Sequence, residues 1–187
     1  LVGSEMCIRD STTPLFTKEE LLAKNGKFND NQMSTALVVK YGKFKYYAGG
    51  DNSGLVDQDH AEWYDIETPM APLVGKVSAM SLNHHSNRDA TNRNFLDVLD
   101  PKVVVAQSWS PDHPGPEVGQ RLLSGNVGTQ KREIFMTYYH EETGIGIGPW
   151  FSRGIKAKEG HIVIRVYPDG KYDVYVPVSY THLTLPT

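Results

Sequence analysis

The sequence predicts an α/β protein in which a mixed β-sheet carries helices on at least one face. Apolar, strand-like runs alternate with capped helices through the middle of the chain, and β-hairpins lie on both sides of this alternation. With 187 residues, of which 39% are hydrophobic and 22% charged, the chain is long and apolar enough to bury one core. It contains no internal repeat.

In the first half of the chain, cap residues and side-chain alternation predict four elements. Thr17 and Glu20 have the spacing of a capping box, and the β-branched and aromatic residues after Ser34 favour strands. The expected elements are a helix over 17–26, strands over 34–40 and 44–48, and a short strand over 76–82. Residues 60–75 are ambiguous, because their prolines limit any helix to a few turns.

In the second half, proline and glycine mark where the elements begin and end. The expected elements are a helix capped by Thr91 and ending before Pro101, a buried strand over 102–109, a helix from Pro116 to Gly125, and a hairpin over 161–176. Gly144, Gly146 and Gly148 lack the context of a phosphate-binding loop, and we expect a flexible loop there.

Composition excludes several classes of protein. The formal net charge of −3 provides no basic footprint for nucleic acid, and no apolar run approaches the roughly 18 residues of a membrane span. The lone Cys7 excludes a disulfide framework and a cysteine zinc cluster.

Both ends of the chain can be encoded by one short DNA element read on opposite strands. The codons ATG-TGT-ATA-AGA-GAC encode 6–10, and their reverse complement, GTC-TCT-TAT-ACA-CAT, encodes 178–182. We therefore expect residues 1–11 and 178–187 to be non-native tails derived from a sequencing adapter in a metagenomic assembly. The native part would then be 12–177, a fragment of a longer protein.

Three polar clusters follow the predicted strands. They contain Asp51 after two glycines, Asn83, His84 and His85 after an apolar run, and His113 between Asp112 and Pro114. In sheets of this class, ligands bind just beyond the strand ends. An aspartate with two or three histidines suits a metal such as Zn²⁺. Each cluster also has a simpler interpretation, namely a turn aspartate, a surface histidine pair and a residue at a helix entry.

The order of these motifs resembles the second half of a metallo-β-lactamase-fold hydrolase, in particular the hydrolase domain of the DNA-uptake protein ComEC and its stand-alone relatives. The resemblance rests on "KYYAGGD", "SAMSLNHHSN", "KVVVAQSW" and "PDHPGPEVGQRLL", and it spans about residues 29–125. It implies the C-terminal half of an αβ/βα sandwich with a site for one or two metal ions. Zinc is the expected ion, with manganese or iron as alternatives.

The resemblance also implies roles for the polar residues. Asp51 would bridge or ligate the metal, and His84 would be a second ligand. His85 and Asn83 would orient the ligands or face the substrate, and His113 would lie at the mouth of the site. The expected reaction is hydrolysis of an ester or a phosphodiester by metal-bound hydroxide.

The chain departs from the family in three respects. Ser86 and Asn87 replace the family's Gly-Ser, and the segment before His113 differs as well. The family's His-x-His-x-Asp-His motif does not occur in the sequence. We therefore expect a truncated, inactive hydrolase whose main partner is the missing N-terminal half, which would leave one sheet face uncovered. A small-molecule or phosphodiester substrate is expected, and a non-catalytic binding or structural domain on this scaffold is the alternative.

Overall fold

The computed structural model describes residues 34–54 and 64–177, the backbone of Met6–Arg9, and the single positions Glu19 and Asn31. Its elements in chain order are β1 (Met6–Arg9), β2 (Leu37–Tyr41), β3 (Phe44–Ala48), α1 (Glu67–Val74), β4 (Ala79–Ser81), α2 (Arg93–Leu99), β5 (Val103–Ala106), α3 (Pro116–Leu123), β6 (Glu133–Met136), α4 (Glu141–Ile147), α5 (Pro149–Gly154), β7 (Ile155–Ala157), β8 (Val163–Val166) and β9 (Tyr172–Tyr175).

Seven strands form one mixed sheet in the sequential order β1 to β7. The strands β1, β2 and β3 are antiparallel, whereas β3 to β7 are parallel to one another. Each parallel connection contains at least one helix, because a chain that returns to the same end of a sheet needs a crossover. The predicted α/β class with a mixed sheet and helices is therefore confirmed.

The two faces of the sheet bury different side chains, as the alternation of a strand requires. On one face, Tyr47, Met80 and Val104 pack with apolar side chains of α1, α2, α3 and α5. On the other face, the buried residues are Phe44, Ala79, Val103 and Phe135. All four residues of β5 are buried, as the continuous apolar run predicts.

The β8–β9 hairpin covers the second face of the sheet. Its residues Ile164 and Val174 belong to the apolar cluster around Phe44, and the ring of Tyr172 meets Phe44 edge-on at 5.0 Å between centroids. The expectation of an uncovered sheet face is therefore wrong for this part of the sheet. The sequence predicts the hairpin itself, but alternation alone does not show where a hairpin packs.

Two local expectations are corrected by the structure. The side chain that caps α2 belongs to Asn92, whose Oδ1 accepts from the Phe95 amide at 2.7 Å, and not to Thr91, which has a left-handed φ of 56°. The glycines 144, 146 and 148 do not form a flexible loop, because the first two lie within α4 and the third ends it. His140 caps this helix by accepting from the Glu142 amide.

Some expectations concern the ends of the chain. The helix expected over 17–26 lies outside the described residues except at Glu19. The segment Met6–Arg9, expected to be a foreign tail, pairs antiparallel with β2 as the edge strand β1. Its adapter origin stays a prediction, as does that of 178–187, which the structure does not describe. Within the described chain, no helix has the length and apolar character needed to cross a membrane.

Candidate functional site

The predicted site residues follow three adjacent parallel strands, so they share one edge of the sheet. Asp51 follows β3, His84 and His85 follow β4, and His113 follows β5. The carboxylate Oδ1 of Asp51 lies 3.3 Å from Nε2 of His85. The amide of His84 donates to the carbonyl of Gly50 at 3.0 Å, which ties the β4 loop to the β3 loop. The structure thus brings together residues that are about 30 positions apart.

The histidine loop has an unusual backbone. His84, His85 and Ser86 have φ values of 46°, 54° and 72°, so three consecutive residues without glycine lie in the left-handed region. This conformation costs roughly 1–2 kcal/mol for each L-residue. Such backbone strain clusters at functional sites, where the surrounding structure holds it in place. The loop is fastened on its far side by the Gly115 amide, which donates to the Ser86 carbonyl at 2.9 Å.

Both histidines of the pair are oriented through Nδ1. Nδ1 of His84 lies 2.7 Å from Oδ1 of Asp89, and Nδ1 of His85 lies 2.9 Å from the carbonyl oxygen of Gln107. Because these oxygens are acceptors, each Nδ1 carries a proton, so whenever a ring is neutral its lone pair lies on Nε2. This is the arrangement in which protein histidines bind metals, with the other nitrogen held by a carboxylate or a carbonyl.

The Nε2 atoms have different neighbours. Nε2 of His85 faces the carboxylate of Asp51, whereas Nε2 of His84 accepts from Nδ2 of Asn31 at 3.2 Å. The sequence predicts His84 as the ligand and His85 as the orienting or substrate-facing residue. Because the direct neighbour of Asp51 is His85, His85 is a candidate metal ligand in addition to His84.

His113 and Trp109 border the histidine pair. The ring of His113 stacks on that of His85 with centroids 5.6 Å apart, and Trp109 meets His85 edge-on at 4.3 Å. His113 is 6% exposed, whereas Trp109 is 61% exposed. Nδ1 of His113 is buried without a hydrogen-bond partner among the described residues. The site therefore has an apolar, aromatic wall with one unsatisfied ring nitrogen.

The surroundings shift the pKa values of two of these histidines in opposite directions. The hydrogen bond to Asp89 raises the pKa of His84, and the negative charges of Asp89, Asp51 and Asp112 add to this effect although burial opposes it. Burial lowers the pKa of His113, and the neighbouring histidines lower it further against the opposing effect of Asp112 and Asp51. The site therefore contains one histidine that favours the proton and one that favours the neutral ring.

The donor atoms suit a metal, although those of the described residues do not converge on one position. Nitrogen and carboxylate oxygen donors match the preferences of Zn²⁺, and the unsatisfied nitrogen of His113 borders the same cluster. Catalytic zinc sites use three protein ligands. Among the residues that the structure describes, no three His, Cys, Asp or Glu side chains form a group that could hold a metal ion.

Asn83 is fully buried, and it connects the site to a carboxylate that sequence reasoning misses. Its Oδ1 accepts from the hydroxyl of Tyr47 at 2.9 Å, and its Nδ2 donates to Oε1 of Glu67 at 2.7 Å. Glu67 also accepts from the amides of Thr91 and Asn92, each at 2.6 Å. The sequence predicts that Asn83 orients ligands or faces the substrate, but its hydrogen bonds lead into the core.

Glu67 is fully buried, and burial raises its pKa to about 7, although the hydrogen bonds from Asn92, Asn83 and Thr91 oppose this shift. No signal in the sequence reveals this role. An acidic residue in the first turn of a helix usually interacts with the helix dipole at the surface, so a surface position would be the natural expectation. Only the packing of α1 against the histidine loop shows that the carboxylate is internal.

Two glycines allow this polar network to form. A Cβ atom on Gly49 would overlap Oδ1 of Asn83, and one on Gly54 would overlap Oε2 of Glu67. In the sequence, two glycines precede Asp51. The structure supplies the reason for the first of them, which is the close approach of the Asn83 side chain.

Replacing Ser86 with glycine is expected to raise the free energy of unfolding by about 1 kcal/mol. The substitution removes the strain of the left-handed backbone, and it also removes a buried hydroxyl that has no partner among the described residues. Ser86→Ala serves as the control, because it removes the hydroxyl but keeps Cβ. Urea unfolding of both variants separates the two effects, and a glycine variant less stable than the alanine variant would contradict the strain argument.

Comparison with protein-family models gives no match for this chain, and comparison with curated proteins gives no significant match. Membership of the metallo-β-lactamase superfamily therefore stays a prediction from the strand-end motifs.

Proposed function

We propose that this chain supplies part of the active site of a metal-dependent hydrolase acting on an ester or a phosphodiester. The observation that carries the proposal is the orientation of His84 and His85. Both Nδ1 atoms lie against acceptors, Nε2 of His85 faces Asp51, and Nε2 of His84 accepts from the Asn31 side chain, which a metal would displace. Asp51 next to His85 adds the carboxylate that such a site needs. The three residues come from two neighbouring strand ends.

Each residue has a distinct task in this proposal. Asp51 and His84 hold the metal, and His85 joins them or keeps Asp51 in place. Zinc, with manganese or iron as alternatives, would lower the pKa of a bound water towards about 7 if it occupied this site. His113, whose ring favours the neutral form, would border the substrate, and the exposed ring of Trp109 packs edge-on against His85.

The remaining ligands would come from outside the described residues. The resemblance assigns them to a half that carries the His-x-His-x-Asp-His motif, so that half is the main partner in this proposal. The alternative is a non-catalytic binding domain on the same scaffold. The lack of a complete three-donor group among the described residues favours this alternative.

Zinc titration with a competing chromophoric chelator tests the proposal. We expect the chain to bind one Zn²⁺ weakly, and we expect Asp51→Asn and His84→Ala each to weaken binding by at least about tenfold. Asp89→Asn should also weaken binding by about 10- to 100-fold, because it removes the acceptor that orients His84.

A substitution at His161 provides the matched control. This residue is an exposed histidine beside the β8–β9 hairpin, so His161→Ala removes one imidazole without touching the strand-end cluster. Equal zinc affinity in His161→Ala, His84→Ala and Asp51→Asn would contradict a site at the strand ends and support the binding-domain alternative. The separate variant His85→Ala shows whether the second histidine is also a ligand.

A further inference from the structure

A cavity lies at the opposite edge of the sheet from the histidines. It has a volume of about 650 Å³ and lies where β5, β6 and β7 begin and α3 ends. The histidine cluster follows the carboxyl ends of parallel strands, whereas Lys102, Glu133 and Ile155 of this cavity lie at their amino ends. We refer to it as the basic cleft. Its volume is within the range of about 300–1,000 Å³ for small-molecule sites.

The basic cleft is strongly positive although the chain as a whole is acidic. Its cationic residues are Lys102, Lys131, Arg132, Arg153 and Lys156. Glu133 is the one carboxylate among the described residues that line it. The lysines and Arg153 make no ion pair with a carboxylate in the described part of the chain. A protein with a net charge of −3 thus gathers unneutralised cations around one concave surface, which focuses a positive potential there.

Arg132 gives the basic cleft a buried donor that is not satisfied. The residue is 5% exposed, and its Nη2 donates to the Val127 carbonyl at 2.7 Å. Its Nε, however, is buried and has no acceptor among the described residues. Leaving a buried charged donor without a partner costs free energy, and an anionic ligand is one way to satisfy it.

Asp100, which follows α2 and contacts residues 129–130 of the basic cleft, is already engaged. Asp100 accepts from the amides of Thr129 and Gln130 at 2.7 and 3.1 Å, and it forms an ion pair with Lys76. Its carboxylate therefore fastens the loop that forms one wall of the basic cleft. This leaves the exposed lysines and Arg153 available to a ligand.

We propose that the basic cleft binds a compact polyanion that carries two or more phosphate groups. Lysine and arginine donors around a cavity of this size match several phosphate oxygens at once. None of the described residues that line the cleft is aromatic, so it offers no surface on which a nucleobase could stack. The proposal is independent of the chemistry proposed for the histidines, because the two sites lie at opposite edges of the sheet.

Calorimetric titration of the full chain with inorganic tripolyphosphate tests this proposal. We expect saturable 1:1 binding that weakens as salt is added, because exposed charges are screened. The double variant Lys131→Gln/Lys156→Gln should bind about tenfold more weakly, since it removes two of the five cations. Zinc affinity at the strand ends should not change, which separates this test from that of the proposed hydrolase.

The control variant has the same charge but a different location. Lys43→Gln/Lys171→Gln removes two exposed lysines near the β2–β3 and β8–β9 turns and should bind tripolyphosphate as the wild type does. Equal weakening in both double variants would overturn the proposal, because it would reflect net charge alone. Absence of binding, or citrate binding as tight as that of tripolyphosphate, would also overturn it.

Discussion

Replacing Glu67 with alanine is expected to lower the free energy of unfolding by about 4 kcal/mol at pH 8. The carboxylate accepts hydrogen bonds from the Asn83 side chain and from the amides of Thr91 and Asn92. All three donor residues are buried. Alanine leaves them without an acceptor and creates a cavity, and each unsatisfied buried donor costs about 1–3 kcal/mol. Chemical denaturation with urea gives the measurement.

Glu67→Gln is the matched variant for this prediction. It keeps the volume and one acceptor oxygen, but it turns an NH₂ group toward donors that need an acceptor. We therefore expect Glu67→Gln to lower the free energy of unfolding by less than Glu67→Ala does. We also expect a less ordered histidine loop, because Asn83 precedes His84. An alanine variant within about 1 kcal/mol of the wild type would show that the network does not hold this loop.

The stability of the protein is expected to fall between pH 4.5 and pH 7 because of Glu67. Burial raises the pKa of this carboxyl from 4.5 to about 7, so in this range the folded state binds more protons than the unfolded state does. The stabilising contribution is complete below pH 4.5, decreases as pH rises through 7, and does not change further at higher pH. Each pH unit between 4.5 and 7 lowers the free energy of unfolding by about 1.36 kcal/mol, so the total change is about 3 kcal/mol.

The measurement compares the wild type with Glu67→Gln across this range. Other groups titrate in both proteins, so the difference between the two free energies of unfolding isolates Glu67. The free energy of unfolding of the wild type minus that of Glu67→Gln should decrease from pH 4.5 to pH 7. The wild type thus loses stability relative to the variant as pH rises. A difference that stays constant with pH would mean that the folded carboxyl titrates at its ordinary pKa.

The fold class follows from patterns that a sequence carries locally. Apolar runs, Pro116 at the start of a helix and the turn at Pro168 to Gly170 each specify their element through short-range sterics and hydrogen bonding. The buried run at 103–106 indicates a strand covered on both faces, which the structure confirms. At 91–92 the sequence predicts Thr91 as the helix cap, whereas the structure has Asn92 in this role. Hydrogen bonds from the amides of both residues to the distant Glu67 fix this segment.

The position of the candidate site could also be predicted, because parallel neighbouring strands bring their carboxyl ends to one edge. Asp51, His85 and His113 meet there as that rule requires. The rule does not say which nitrogen of which histidine faces Asp51. That choice depends on the left-handed backbone of 84–86 and on two acceptors, namely Asp89 in the same loop and Gln107 in the loop after β5.

By itself, the sequence determined the class of fold, the order of most elements and the edge at which the polar clusters gather, because these depend on local periodicity and on strand direction. Tertiary structure alone decided that the hairpin covers the second sheet face, that Glu67 is an internal carboxylate, and that five cations surround one cleft. Burial and charge clustering depend on residues that are distant in the chain, so no local sequence pattern reveals them.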